Sequence, residues 1–246
     1  MEEHEYQAMY DVESSHWWFV SRRLFVNVFL SAVWRRQPPR VIADIGAGTG
    51  GMAHVLSQYG KVIGIEPHKT ARKLAEKRGV ILRNGTAERT GLTARSVDAV
   101  CFFDVLYHQG IHDRSALCEA YRVLRPGGWL VITDCAFPWL AGPHDRAVFG
   151  RERYMLPALL RKVRAAGFSI HTKTYMFFLL FPWVAVKRLI DRVLPGRERG
   201  SDVVPASAAV NRAGVFINRL EALGLPFVSY PWGTSLFILA RKKGGV

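Results

Sequence analysis

Val41–Gly51 reads VIADIGAGTGG, and this stretch decides the fold. A short β-branched strand (40–45) runs into a glycine turn (46–51), followed by a segment (52–59) that suits a helix. A strand feeding a glycine turn and then a helix brings backbone N–H groups and the positive end of a helix to one point. Glycine lets the backbone come close to a bound group. Two templates fit. Gly46, Gly48 and Gly51 make a G-x-G-x-x-G dinucleotide fingerprint. Asp44, Gly46, Gly48 and Gly50 make Asp-x-Gly-x-Gly-x-Gly. Asp44 separates them, because a carboxylate there repels a pyrophosphate but accepts hydrogen bonds from an ammonium group. Glu66, 22 residues after Asp44 at the end of the next strand (61–66), suits a ribose diol in either template. The ligand that fits is a nucleoside with a cationic amino-acid tail, not a diphosphate.

Outward from this point, strand and helix alternate. The pattern predicts a helix over 69–78 stopped by Gly79, strands at 80–83 and 96–103, a helix over 114–124 ended by Pro126-Gly127-Gly128, and a strand at 129–135. Such alternation implies parallel strands with right-handed crossovers, a doubly wound α/β sheet. Upstream, 1–36 reads as helical and stops at Pro38-Pro39. After Ala136 the pattern changes: a loop (137–150), a helix (154–166) with an Arg/Lys face, a long strand (169–181), an amphipathic helix (182–194), a charged turn (195–201), a helix (206–223), a strand (235–240) and a basic tail (241–243).

The 246 residues suffice for one domain with a full core. Hydrophobic residues are 49% and charged residues 22%, which excludes a disordered chain. Lys and Arg number 34 against 20 acids, a net charge of +14, which suits an acidic partner or a basic solvated surface equally. Cys101, Cys118 and Cys135 are odd in number and form no C-x-x-C, against a disulfide scaffold or zinc ribbon. Their apolar settings suggest a reducing compartment, and a cytoplasmic location is expected. The acidic, aromatic N-terminus does not read as a signal peptide. The longest apolar run, residues 176–186, is too short to span a bilayer as a helix, which needs about 20 residues.

The chain resembles the class I S-adenosylmethionine (SAM) methyltransferases. DIGAGTG, VIGIEP, GTAE (Gly85–Glu88), FFDVLYH (Phe102–His108) and RVLRPGG (Arg122–Gly128) match that family's motifs in order over about 100 residues. Less specifically, HWWF (His16–Phe19) with Arg22-Arg23, and Asp145 followed by Arg153-Tyr154, are similar to a bacterial branch of it. Tyr107-His108 stands where the family commonly has Glu-His. The resemblance implies a Rossmann-like seven-stranded sheet with an antiparallel last strand, an N-terminal helical cap and a helical insertion before the last strand. It also implies one domain: a cap over 1–39, a SAM-binding core over 40–136 and a substrate-side half over 137–246 with the insertion at 182–224.

With SAM as cofactor, Asp44, Gly46 and Gly48 are expected on its methionine part and Glu66 and Pro67 on the ribose. Ala87 and Glu88 are expected at the adenine, and Phe103 and Asp104 at the end of the fourth strand. Trp18 is a candidate for the sulfonium, since aromatic faces attract cations, and Arg23 or Arg22 for the carboxylate. A hydroxyl acceptor needs a base, and histidine suits that role near neutral pH. His108 is the first choice; His144 and His16 follow. Tyr107, Asp145 and Tyr154 are candidates for the acceptor. No metal is expected, with Asp104 standing alone after its strand. No Asn-Pro-Pro-Tyr motif and no Pro-Cys pair are present, against methylation of nucleic-acid adenine amino groups or cytosine carbon.

The expected function is methyl transfer to a small-molecule acceptor, at an oxygen of a sugar or natural product. A membrane-surface enzyme with a lipid or lipid-linked acceptor is one alternative, resting on the apolar run and the cations after it. An RNA methyltransferase is another, though no appended RNA-binding motif is present. A SAM-binding regulator is the non-enzymatic reading. Oligomeric state is open, because the N-terminal helix can cap its own site or a neighbour's.

Overall fold

The computed structural model describes residues 3–193 and 205–244. Its centre is a seven-stranded sheet in the order β3-β2-β1-β4-β5-β7-β6. The strands are β1 (Val41–Ile45), β2 (Lys61–Ile65), β3 (Leu82–Arg83), β4 (Val97–Phe103), β5 (Leu124–Cys135), β6 (Phe168–Met176) and β7 (Ser235–Lys242). The first five run parallel, and β7 inserts antiparallel between β5 and β6. This is the expected doubly wound Rossmann-like sheet. Strands β1 and β4 are covered on both faces, so they are apolar apart from Asp44 and Asp98. Connections leave β1 toward β2 on one side and return to β4 on the other. The crevice at the carboxyl ends of β1 and β4 is therefore the switch point of the sheet, where ligands of such folds bind.

One face of the sheet is covered by α5 (Asp113–Val123) and α7 (Leu156–Ala165), whose Leu117, Ala120, Leu159 and Val163 join the core. The other face carries α2 (Trp17–Trp34) and α3 (Ala53–Ser57). Phe25, Phe29, Leu30 and Trp34 of α2 are buried there, with the Phe29 ring stacked on Phe237 at 4.1 Å. The expected cap over 1–39 thus divides. Helix α2 is a layer of the fold, and α1 (Glu3–Val12) lies beside α4 (Lys69–Glu76). His16 ends the turn between them and caps α2, its Nδ1 accepting the Trp18 N–H at 3.3 Å.

Several boundaries move for local reasons. Strand β5 begins at Leu124, before Pro126-Gly127-Gly128, because the chain re-enters the ladder across an irregular register with β4. Strand β6 ends at Met176 because Phe177 adopts a left-handed backbone (φ 60°) that turns the chain out of the sheet. The loop at 137–150 contains a 3-10 turn (Pro138–Leu140) and a short helix α6 (Pro143–Ala147), each opened by proline, which suits a first helical position. Helices α8 (Phe181–Val193) and α9 (Ala208–Gly224) follow β6; the expected charged turn at 195–201 lies outside the described residues.

Candidate active site

At the switch point opens a cavity of about 1020 Å³. Pockets for a single drug-sized ligand run to roughly 300–1,000 Å³, so this one accommodates a cofactor and an acceptor together. Its floor is the ends of β1 and β4, its roof comes from α1 and α2, and its far wall is α6 and α8.

The glycine turn forms one side. Gly46 has φ 73°, and a Cβ there would sit 2.6 Å from Val105 Cγ2, so both backbone and space demand glycine. Asp44 ends fully enclosed beside it. Burial, against the attraction of Arg22, pushes its carboxyl up to about 7, with Glu66 and Glu13 adding repulsion. A cationic group bound there would reverse much of that penalty. Glu66 accepts the Gly48 N–H and the His68 N–H, both at 2.9 Å. Two backbone donors fix the carboxylate, and each oxygen keeps a lone pair for a diol. Burial nonetheless raises its pKa.

Asp44, Gly46, Gly48, Glu66, Pro67, Ala87, Phe103, Asp104 and Trp18 all line the cavity. Glu88 does not: it accepts the His112 N–H at 2.9 Å, at the entry to α5. Arg23 is also corrected. Its guanidinium donates to the carbonyls of Glu13 and Ser14 and holds the α1–α2 turn, whereas Arg22, one residue earlier on the helix, faces the cavity. Arg22 pairs with Asp104 at 2.5 Å and lies 4.9 Å from the Trp18 ring centre. A protein cation therefore already occupies one side of the tryptophan offered for the sulfonium.

Asp104 adopts φ 58°, a strained conformation of the kind found at functional sites. The expectation that it stands alone is overturned. Asp134 and Cys135 of the neighbouring β5 come close enough that one ligand-type atom from each of the three lies within 4.8 Å of the others. Asp104 Oδ1 and Asp134 Oδ2 are buried without a partner. Burial, and behind it the nearby Asp104, push the Asp134 carboxyl well above the usual carboxylate range, against the pull of backbone N–H groups. Sequence reading missed Asp134 because it reads as one more residue of a buried strand.

The three candidate histidines all reach the cavity. His108 Nδ1 lies 2.7 Å from the Val148 carbonyl, which places a proton on Nδ1. Burial lowers its pKa to about 4, so it is neutral at physiological pH. His16 is the reverse case. Its Nδ1 is spent on capping α2, so Nε2 bears the hydrogen and the ring presents a donor, not a base. His144 lies on α6 at the far wall.

Of the acceptor candidates only Tyr107 lines the cavity. Tyr154 is turned away: its hydroxyl donates to the Leu106 carbonyl at 3.1 Å and lies 2.9 Å from Asp113. Asp145 lies behind the wall, where it takes both arms of Arg153 at 2.7 and 3.0 Å and also accepts the Gly142 N–H. Burial opposes its charge, but Arg153 overcomes this and holds the carboxyl below its usual range. Arg153 is the member of the pair that faces the cavity.

The roof was least visible in the sequence. Tyr6, Met9 and Glu13 line the cavity from the first turns of the chain. Tyr6 stacks on His68 at 4.5 Å. Glu13 accepts from Thr49 Oγ1 at 2.5 Å and Arg78 at 2.6 Å, and a Cβ on Gly51 would lie 1.7 Å from its Oε1. The last glycine of the turn thus admits a glutamate of the roof. The acid's spacing carried no signal, since its partners are 36 and 65 residues away. Trp183, Val184, Lys187 and Arg188 of α8 complete the far wall. Gly142 is the gap through which Arg188 enters, for a Cβ there would meet its Nη1 at 2.4 Å.

Residues 43–132 match the family model described as a methyltransferase domain. The demethylmenaquinone methyltransferase of Tropheryma whipplei (strain Twist) is 28% identical over 158 residues, covering 57% of this chain and 63% of that protein. The chain thus spans 63% of the length of the curated relatives it matches. A possible histamine N-methyltransferase from Thermotoga maritima shares the fold with a TM-score of 0.62 at 21% identity, covering 98% of this chain and 95% of that one. Phosphoethanolamine N-methyltransferase 2 of Haemonchus contortus, solved with SAM, has a TM-score of 0.57 at 19% identity, covering 89% of this chain and 52% of that one. Residues 43–132 thus carry the pattern of a methyltransferase domain, on a fold shared with SAM-dependent methyltransferases.

Proposed function

We propose that this protein transfers a methyl group from SAM to an oxygen of a small-molecule acceptor. The observation that carries the reading is the pairing of Asp44 and Glu66 at the ends of adjacent strands, beside a glycine turn and a cavity too large for the cofactor alone. Asp44 meets the ammonium of SAM, Glu66 the ribose hydroxyls, and Ala87 the adenine. Arg22 is the cation nearest to serve the carboxylate. The acceptor lies between Tyr107, His108, His144 and the α8 wall.

SAM supplies an activated methyl group that leaves its sulfonium in an in-line displacement. The chain's own residues then have two tasks. The first is alignment, which carries much of the rate of such a reaction. The second is removal of the acceptor proton, for which His108, uncharged across the physiological range and at the cavity, is the candidate base.

A lipid or lipid-linked acceptor is a second reading. It is favoured by α8, which walls the acceptor side with Trp183 and Val184, and by the quinone acceptor in the name of the Tropheryma relative. Incubation with methyl-labelled SAM and a panel of sugars, phenols, hydroquinones and lipid-linked alcohols tests both. The expected result is label in an acceptor, lost in Asp44→Ala and strongly reduced in His108→Gln. Intact SAM binding with no transfer to any hydroxyl would overturn the reading.

A further inference from the structure

Helices α8 and α9 are built inside out. On α8, Arg188 is buried at 7% exposure, and Lys187 and Val184 face the cavity, while Trp183, Val186, Leu189, Ile190 and Val193 point to solvent. These apolar positions follow each other at three- and four-residue spacing, so they form one stripe along the helix. Trp183 is 75% exposed and Val193 77%. Helix α9 repeats the arrangement. Its inner side buries Asn218, bonded to Ser21 at 2.9 Å, and Glu221, which accepts the Leu179 N–H. Its outer side shows Val210, Phe216, Leu220 and Leu223, and Phe227 just beyond the helix is 85% exposed. Scattered exposed apolar residues are ordinary; an apolar stripe along α8 and a cluster of Phe216, Leu220, Leu223 and Phe227 at the end of α9 mark surfaces that something covers.

The charges on these helices name the covering. Arg212 and Arg219 are exposed on α9, and its one acid, Glu221, is buried. On α8, Asp191 is paired with Lys187 at 3.0 Å, and Arg192 adds a further cation. The net charge of the chain is +14. A second copy seated through a two-fold axis would bring one cationic face against another. An apolar stripe flanked by arginines and opened by a tryptophan instead has the composition of a helix lying in a membrane interface. No helix among the described residues is long and apolar enough to cross a membrane, so the contact is one of lying on the surface.

We propose that the outer faces of α8 and α9 seat the protein on an anionic phospholipid surface. Trp183 then stands both at the lipid and in the lining of the cavity, so the acceptor enters from the membrane side. This last step rests on the methyl-transfer reading above; the docking itself does not. Each arginine near an anionic surface strengthens binding roughly fivefold, and burying one exposed Phe or Ile side chain adds roughly tenfold or more.

Flotation of the full chain with vesicles of phosphatidylcholine plus phosphatidylglycerol, and of phosphatidylcholine alone, tests the docking. The wild type is expected to float with the mixed vesicles at low salt, less with phosphatidylcholine alone, and less again as salt rises. Ile190→Asp and Phe216→Asp are each expected to weaken binding about tenfold or more. Arg212→Glu combined with Arg219→Glu is expected to remove the preference for the anionic lipid. Unchanged SAM binding by these variants shows that they are folded. No flotation of the wild type with either vesicle would overturn the proposal. So would light scattering that shows a dimer which Phe216→Asp splits. Flotation without methyl transfer to any acceptor retires the catalytic reading and leaves the docking standing.

Discussion

The two ends of the cavity are built by different means. The donor end is made by backbone: Gly46 and Gly48 at positive φ, Glu66 fixed by two N–H groups, and Asp44 placed by the register of β1 between β2 and β4. The acceptor end is made by side chains brought from far along the chain: Arg153 held by Asp145, Arg188 threaded past Gly142, and Trp183 from α8. Backbone geometry tolerates few sequences and leaves a motif behind. Side-chain pairs can be assembled from many places, so the acceptor end can change chemistry while the donor end stays the same.

This contrast can be broken by substitution. The largest effect is expected from Arg153→Ala, which leaves Asp145 buried and unpaired; losing such a pair costs about 3–5 kcal/mol. Chemical denaturation should show that loss. If the two ends are separate structures, SAM affinity at temperatures where the variant is folded stays near the wild-type value. A parallel loss of SAM affinity would merge them.

Next in size is His108→Gln. It is expected to lower kcat by about a hundredfold with SAM affinity unchanged, since general-base catalysis contributes roughly 10²–10⁴-fold. Because His108 has a pKa near 4, the wild-type rate should show no histidine inflection near its ordinary value and should fall only as pH drops toward 4. An inflection near pH 6.5 that vanishes in His108→Gln would mean a solvated imidazole.

Asp44→Asn sharpens the donor side. The carboxyl is lifted to about 7 in the folded chain, above its unfolded value of 3.8, so the folded state holds more protons than the unfolded one between these limits. Stability then falls as pH rises through that window, and the penalty is complete above about 7. Asp44→Asn removes it and should stabilise the unliganded protein above neutral pH. Melting curves against pH check this, and equal curves for both proteins would show that Asp44 is not strained. The smallest effect is expected from Glu13→Gln, which weakens the tie between roof and glycine turn. A loss of about 1 kcal/mol, or roughly fivefold in SAM affinity, follows from weakening hydrogen bonds to a charged group.

The same division governs what could be read from the sequence. VIADIGAGTGG, Glu66 and the alternation to Cys135 were legible because a parallel sheet demands apolar runs at fixed intervals and its glycine turn demands positive φ. Arg22 and Arg23 were not separable, since neighbours on a helix differ only in the direction they face, and the turn that fixes that direction is capped by His16. Asp145 and Tyr154 were visible as polar residues in the right region, but they serve the wall from behind. Asp134 was hidden in a buried strand. The stripe on α8 was visible as amphipathic; only its inverted orientation, with Arg188 inward, required the structure.

The most direct test of the donor end is calorimetric titration of SAM into the wild type and Asp44→Asn, above and below a pH of about 7. If the Asp44 carboxylate receives the ammonium, the wild type binds more tightly above that pH than below it. Asp44→Asn then binds at least about tenfold more weakly, the worth of a charged hydrogen bond, and its affinity lacks the rise through 7. Equal affinity for both proteins, or no binding by the wild type, would contradict the assignment of this strand end to the cofactor.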